Sequence, residues 1–286
     1  MSGLVRPVAL VTGASRGIGK AAAVDLAAAG FDVAVSARTM TEGQGRSDTD
    51  PGVALPGGLD TTVALIEHAG GQGFAVPMDL LDRDTVLAAV AAVYDRFGRI
   101  DVLVNNAIYQ GSGVMAVFAD LVEPDLHRMF EGNVFAQLAI INAVLPRMIV
   151  RGGGTIVNLI SATAYADPPA RAGEGGWGLG YAMTKAAFAR VAPLLHVEYR
   201  ELGLRIFSVD PGFTVTEKME ATGRTAEHGR FFQGATPDVI GRAIRWLVTD
   251  PAADELRGQI VFAQREVKRR GLLPGWPPPP SAPPTA

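Results

Sequence analysis

Residues 8–20 read V-A-L-V-T-G-A-S-R-G-I-G-K, and no other stretch limits the possible folds of this chain as strongly. A β-branched apolar run stops at Thr12, glycines follow at 13, 17 and 19, and helical Ala/Val/Leu-rich sequence continues to residue 29. The pattern predicts a strand, a tight turn and a helix. Glycine brings backbone close to a ligand with no Cβ between them, and a helix start offers unpaired N–H groups and a positive dipole end, which suits a pyrophosphate. Residues 13–17 also match G-x-S-x-G, the nucleophile elbow of a serine hydrolase with Ser15 as nucleophile. That elbow would follow the first strand, leaving no earlier strand to supply an oxyanion-hole loop. Its triad would need His196 or His228 as the late histidine.

Bulk properties narrow the alternatives. A chain of 286 residues with 48% hydrophobic residues can bury one large α/β core without a second domain. A net charge of −3 offers no field for nucleic acid or an anionic membrane. The absence of cysteine excludes disulfides, thiolate catalysis and thiolate metal ligation, and the four histidines show no ligand spacing, so no metal is expected. The sequence enters its first strand without a signal-peptide layout, and no apolar run looks long enough to span a bilayer; a soluble, cytoplasmic protein is expected. From residue 273 a Pro-rich run follows, which divides the chain into a domain over 1–272 and a tail over 273–286.

Further strands are predicted at 32–37, 72–78, 100–104, 155–160, 204–209 and 259–263, with helices at 59–69, 82–97, 124–151 and 237–248 and another opening at Tyr181. Their alternation predicts a single doubly wound, Rossmann-like α/β domain with a parallel sheet of about seven strands flanked by helices. Residues 39–58 read as a long polar loop, and residues 217–234 are largely polar, with Phe231-Phe232 as an apolar patch. Lys185 follows Tyr181 by four residues, which places both on one helix face. A phenol titrates near ~10, and a neighbouring ammonium favours its phenolate, so this pair is suited to acid–base work, with Lys185 lowering the pKa of Tyr181. Tyr165 cannot take this role, because its i+4 residue is Pro169.

In order along the chain stand T-G-x-x-x-G-x-G from Thr12, Asn105-Asn106-Ala107, a strand-terminal Ser161, Tyr181-x-x-x-Lys185, and Pro211-Gly212 with Thr216 downstream. Over residues 5–263 the sequence resembles the short-chain dehydrogenase/reductase family. The resemblance implies hydride transfer between a nicotinamide cofactor and a small-molecule carbonyl or secondary alcohol. Ser161 would orient the carbonyl, Tyr181 would donate the proton, Lys185 would serve the phenol and the nicotinamide ribose, and Asn133 would hold a proton-relay water. Cofactor contacts are expected from Gly13, Ser15, Arg16, Gly17, Ile18 and Gly19 in the turn, and from Arg38, Asp79 and Leu80 at strand ends. Asn106, Ala107, Tyr181, Lys185, Pro211, Gly212, Thr214 and Thr216 complete the expected set. A non-catalytic NADP-sensing protein of the same fold is the alternative, although it need not keep Ser161, Tyr181 and Lys185.

Three features are particular to this chain. Ala37 stands where NAD-preferring relatives carry Asp, and Arg38 and Arg16 can meet a 2′-phosphate, so NADP(H) is expected over NAD(H). Ile108 replaces the last glycine of the family's N-N-A-G, and the Ser161-to-Tyr181 interval is longer than the family's usual dozen residues. Ile108, Tyr109, Tyr165, Pro168, Trp177 and Phe213 are therefore expected to shape a pocket for a bulky, largely apolar ketone. The resemblance also implies a homodimer or homotetramer through the helices carrying Asn133 and Tyr181, with Phe188, Val191 and Leu195 as its apolar surface.

Overall fold

The computed structural model describes residues 6–225 and 234–277; His228, Phe231, Phe232 and the run from 278 onward lie outside the described residues. Strand β1 (Val8–Thr12) is buried along its whole length, as its unbroken apolar run requires of a strand covered on both faces. Its side chains alternate between two cores. Ala9 and Val11 join one with Leu26, Ile66 and Ile244, while Val8 and Leu10 join the other with Val90, Ile140 and Phe188.

The remaining strands are β2 (Asp32–Ala37), β3 (Gly45–Arg46), β4 (Ala54–Leu55), β5 (Gly73–Pro77), β6 (Val102–Asn105), β7 (Gly154–Leu159), β8 (Leu204–Asp210) and β9 (Ile260–Phe262). Seven of them form one parallel sheet in the order β5-β2-β1-β6-β7-β8-β9, as expected for a doubly wound fold. The order reverses between β1 and β6, and a crevice opens there at the strands' carboxyl ends. The first core contains helices α1 (Gly17–Ala28) and α2 (Leu59–His68). Helices α3 (Arg83–Phe97), α4 (Glu123–Phe130), α5 (Ala136–Val150), α6 (Leu179–Ala189) and α7 (Val191–Tyr199) follow in the chain, of which α3 and α5 supply most of the helical residues of the second core. After them come α8 (Glu217–Ala221), α9 (Pro237–Thr249), which packs on α1, and α10 (Ala263–Arg270).

The structure departs from the sequence reading in several places. The expected loop at 39–58 contains the antiparallel β3–β4 hairpin, with Gly45 opposite Leu55. A helix, α10, follows β9 directly, and its Val267 is buried although the segment is strongly basic. Residues Glu123–Val150 form one continuous helical span, long and apolar enough by composition to cross a membrane, against the expectation that no such run exists. Half of its apolar window is buried within the protein, where Ile140, Ile141, Val144 and Met148 belong to the second core. Leu273 and Trp276 pack against the first core, so packing continues past the boundary drawn at residue 272. Phe188, expected on an exposed subunit face, is only 2% exposed and belongs to the core, with Val191 and Leu195 packed against it. The large apolar side chains that these helices do expose are Leu179, Met183, Leu194 and Val197.

Candidate active site

The first turn is held by mutual close approach. Gly13 has φ +66°, and a Cβ there would lie 2.7 Å from Ala107 Cα. The Asn106 side-chain amide donates to Thr12 O at 2.8 Å and Gly13 O at 3.1 Å. Thr12 Oγ1 in turn accepts from the Asn106 and Ala107 amides, each at 3.0 Å. Gly19 serves this packing: it lies beneath the turn, where a Cβ would come within 2.5 Å of Asn106 Nδ2, and it does not line the cavity. The turn forms one wall of a cavity of about 510 Å³ at the strands' carboxyl ends. Ser15, Arg16, Gly17, Ile18, Arg38, Asp79, Leu80, Asn106, Ala107, Pro211, Gly212, Thr214 and Thr216 also line it, together with Ser161, Tyr181 and Lys185. Bare backbone at Gly13 and Gly17, a helix N-terminus and flanking cations make a donor set that fits a dinucleotide.

Glu217, which the sequence reading passed over, joins α8 to the turn by accepting from the Gly17 amide at 2.9 Å and from Lys20 at 2.5 Å. Burial alone would raise its pKa, but the bonds from Lys20 and backbone amides hold it below the ordinary glutamate value. Arg16 and Arg38 are both engaged by the 39–58 segment. Arg16 donates to Pro56 O at 2.6 Å and to Gly57 O at 3.2 Å, and Arg38 donates to Asp48 at 2.6 Å. Asp79 lines the cavity while accepting from the Leu81 amide at 3.0 Å.

Tyr181 and Lys185 lie one turn apart on α6, facing the end of β7. Lys185 Nζ donates to Leu159 O at 2.8 Å and lies 6.0 Å from the centre of the Tyr181 ring. Burial pushes the Tyr181 phenol up to about 12, with Asp210 adding to the rise and a hydrogen bond with Ser161 opposing it. Burial lowers Lys185 to about 8, against the raising effect of Asp210. The phenol therefore stands above its ordinary value, contrary to the expectation that Lys185 lowers it, because burial and the Asp210 charge outweigh the Ser161 hydrogen bond. Asp210 is buried, accepts from the Gly212 amide at 2.8 Å and from the Tyr165 hydroxyl, and was not singled out in the sequence.

Asn133 lies on a π-helical turn (Glu131–Phe135) between α4 and α5, a distortion that often marks functional positions. It is buried behind the cavity wall. Its Oδ1 accepts from the Tyr109 amide at 2.6 Å, and its Nδ2 donates to Tyr109 O at 3.3 Å and to Thr184 Oγ1 at 3.4 Å.

Ile108, Tyr109, Trp177 and Phe213 line the cavity with Val114, Met115 and Met219, giving its wall a largely apolar character. Tyr165 and Pro168 do not line it. The Tyr165 hydroxyl is taken by Asp210, and its ring meets Phe262 edge-on at 6.2 Å, so this residue ties the 162–180 segment to the sheet. The hydrolase alternative with His196 fails on geometry; its other candidate, His228, lies outside the described residues. Ser15 follows the carboxyl end of β1, whereas His196 packs on Gly258, whose amide bonds Ile206 near the amino end of β8.

A family model described as short chain dehydrogenase matches residues 7–48 and 55–227. The chain is 31% identical to a 3-oxoacyl-[acyl-carrier-protein] reductase of Synechocystis sp., covering 91% of this chain and 96% of that one. It is also 31% identical to an L-rhamnose 1-dehydrogenase (NAD(P)(+)) of Sphingomonas sp., covering 88% and 87%. Among solved structures, a short chain dehydrogenase from Mycobacterium paratuberculosis bound to NAD aligns with TM-score 0.71 and 25% identity, over 89% of this chain and 95% of that one. The chain belongs to the short-chain dehydrogenase/reductase family of NAD(P)-binding oxidoreductases, which act on CH–OH and C=O groups.

Proposed function

We propose that this protein is an NADP(H)-preferring oxidoreductase acting on a bulky, largely apolar ketone or the corresponding secondary alcohol. The observation that carries the reading is the meeting of Ser161, Tyr181 and Lys185 in one largely apolar cavity beside the glycine turn. A bound nicotinamide supplies or accepts the hydride. In reduction, Ser161 holds the carbonyl oxygen by a hydrogen bond, and the Tyr181 hydroxyl, neutral at physiological pH, gives it a proton. The phenolate left behind is stabilised by the Lys185 ammonium and regains its proton from solvent, with Asn133 supporting the relay; oxidation runs the same transfers backward. Ile108, Tyr109, Trp177 and Phe213 would exclude water and accept the substrate's apolar body.

Arg16 and Arg38 support the NADP(H) preference, since guanidinium groups suit a 2′-phosphate and Ala37 offers no competing carboxylate. The same reading makes the protein a cytoplasmic homodimer or homotetramer. Following NADPH and NADH absorbance against a varied ketone panel tests the assignment. Tyr181→Phe is expected to lower turnover by a factor of about 10²–10⁴ while leaving cofactor affinity nearly unchanged. Turnover near the unmodified rate in purified Tyr181→Phe protein would refute the proton donor. Equal or NAD-favouring kcat/KM would refute the cofactor preference.

A further inference from the structure

Asp48 stands on the hairpin segment between β3 and β4, at the cofactor cavity, with both of its carboxylate oxygens turned to cations. Oδ1 lies 2.6 Å from Arg38 Nη2, and Oδ2 lies 3.6 Å from Lys218 Nζ. Arg38 follows β2 and Lys218 lies on α8, so one carboxylate joins two elements that are 180 residues apart in sequence. All three residues line the cavity, and Arg16 and Arg224 line it as well. Asp48 and Lys218 are largely shielded from solvent, which keeps their attraction from being screened away. The family model breaks at 49–54, between these paired strands, so the segment bearing Asp48 departs from the general pattern just beyond this residue.

We infer that Asp48 is an internal counter-ion that a cofactor 2′-phosphate must displace, and that Lys218 is a further phosphate-binding cation beside Arg38. This rests on the NADP(H) reading of the cavity. Two cations brought to one anion form a site for negative charge, and a dianionic phosphate offers each of them a stronger partner than one carboxylate does. The carboxylate would also repel the phosphate if it stayed in place. Its effect is therefore to reduce the preference that Arg16, Arg38 and Lys218 would otherwise confer. A ligand without the 2′-phosphate leaves the Asp48 contacts intact and is not penalised.

The test is direct binding by calorimetry of NADPH, NADH and 2′,5′-ADP to the unmodified protein and to Asp48→Asn, Asp48→Ala and Lys218→Met, with thermal unfolding as a check on folding. Both Asp48 variants are expected to bind NADPH and 2′,5′-ADP at least fivefold more tightly and NADH within twofold of the unmodified protein. Lys218→Met is expected to weaken the two phosphate-bearing ligands at least fivefold and to spare NADH. Unchanged NADPH affinity in folded Asp48 variants would overturn the inference. Loss of NADH affinity would do so too, because it would mean that Asp48 holds ribose hydroxyls. If the unmodified protein binds NADH more tightly than NADPH, the NADP(H) reading fails separately; selective tightening of 2′,5′-ADP by Asp48→Asn would still support the counter-ion.

Discussion

Three glycine-to-alanine substitutions separate the two reasons for which the first turn needs glycine. Gly30 has φ +100° with open space where a Cβ would stand, so Gly30→Ala meets only the backbone penalty, about 1–2 kcal/mol. Gly19 has an ordinary φ, but its Cβ would lie 2.5 Å from both Asn106 Nδ2 and Gly13 O. Overpacking of about 1–3 kcal/mol and a weakened Asn106 hydrogen bond of about 1 kcal/mol are partly offset by about 1 kcal/mol of helix propensity. The net cost of Gly19→Ala is then about 1–3 kcal/mol. Gly13→Ala combines both penalties, because φ is +66° and the obstacle at 2.7 Å is the Ala107 backbone, which cannot rotate away. Its expected cost is about 2–5 kcal/mol, and at about 2 °C per kcal/mol for a chain of this size Tm falls by about 4–10 °C. Differential scanning fluorimetry ranks the three, and NADPH titration adds a second axis: Gly13→Ala loses affinity and Gly30→Ala does not. A Gly13→Ala protein no less stable than Gly30→Ala, with unaltered NADPH affinity, would refute the argument from Ala107.

Lys185, lowered to about 8, carries its charge below that pH and loses it above, whereas Tyr181 at about 12 keeps its proton throughout the working range. Reductive kcat/KM is therefore expected to be level near pH 6–7 and to fall above about pH 8; a level profile to pH 10 would remove Lys185 from the proton-transfer step. Because Asp210 raises Lys185, Asp210→Asn moves that fall to lower pH, and an unmoved profile would leave Asp210 a purely structural residue. Leu194 and Val197 are 54% and 68% exposed on α7, so Leu194→Glu with Val197→Glu is expected to reduce the assembled size seen by light scattering; a monomeric unmodified protein would refute the assembly itself. Trp177→Ala should change relative activities across a ketone panel while Tyr165→Phe should not, since only Trp177 lines the cavity; the reverse result would reassign the pocket.

The sheet and the glycine turn could be read from the sequence because their physics is local. A strand buried on both faces shows as an apolar run, and a turn that excludes Cβ atoms shows as glycine at fixed intervals. The spacing of Tyr181 and Lys185 is local in the same sense. Phe188 marks where this reasoning stops, because helical periodicity reveals an apolar face without saying whether the same chain or a second copy covers it. Tyr165 shows a related limit: a loop between two active-site residues need not turn each of its aromatics inward, and here a buried carboxylate 45 residues away claims the hydroxyl.

The same limit accounts for Asp48, Glu217 and Lys218. Glu217 and Lys218 act through partners 170 or more residues away, and although Arg38 is only ten residues from Asp48, only the folded hairpin turns that carboxylate toward both cations. An unpaired carboxylate in polar sequence reads as a solvated surface group, which is the commonest state of such residues. In this fold, β2 and the segment after β8 deliver their cations to one end of the cavity, and the hairpin returns a carboxylate between them. On the proposed NADP(H) reading, cofactor choice is a balance of charges from three separate segments. Arg38 and the absence of acid at Ala37 state one side of that balance in the sequence; the opposing charge of Asp48 becomes visible only when the hairpin is folded back over the strand ends.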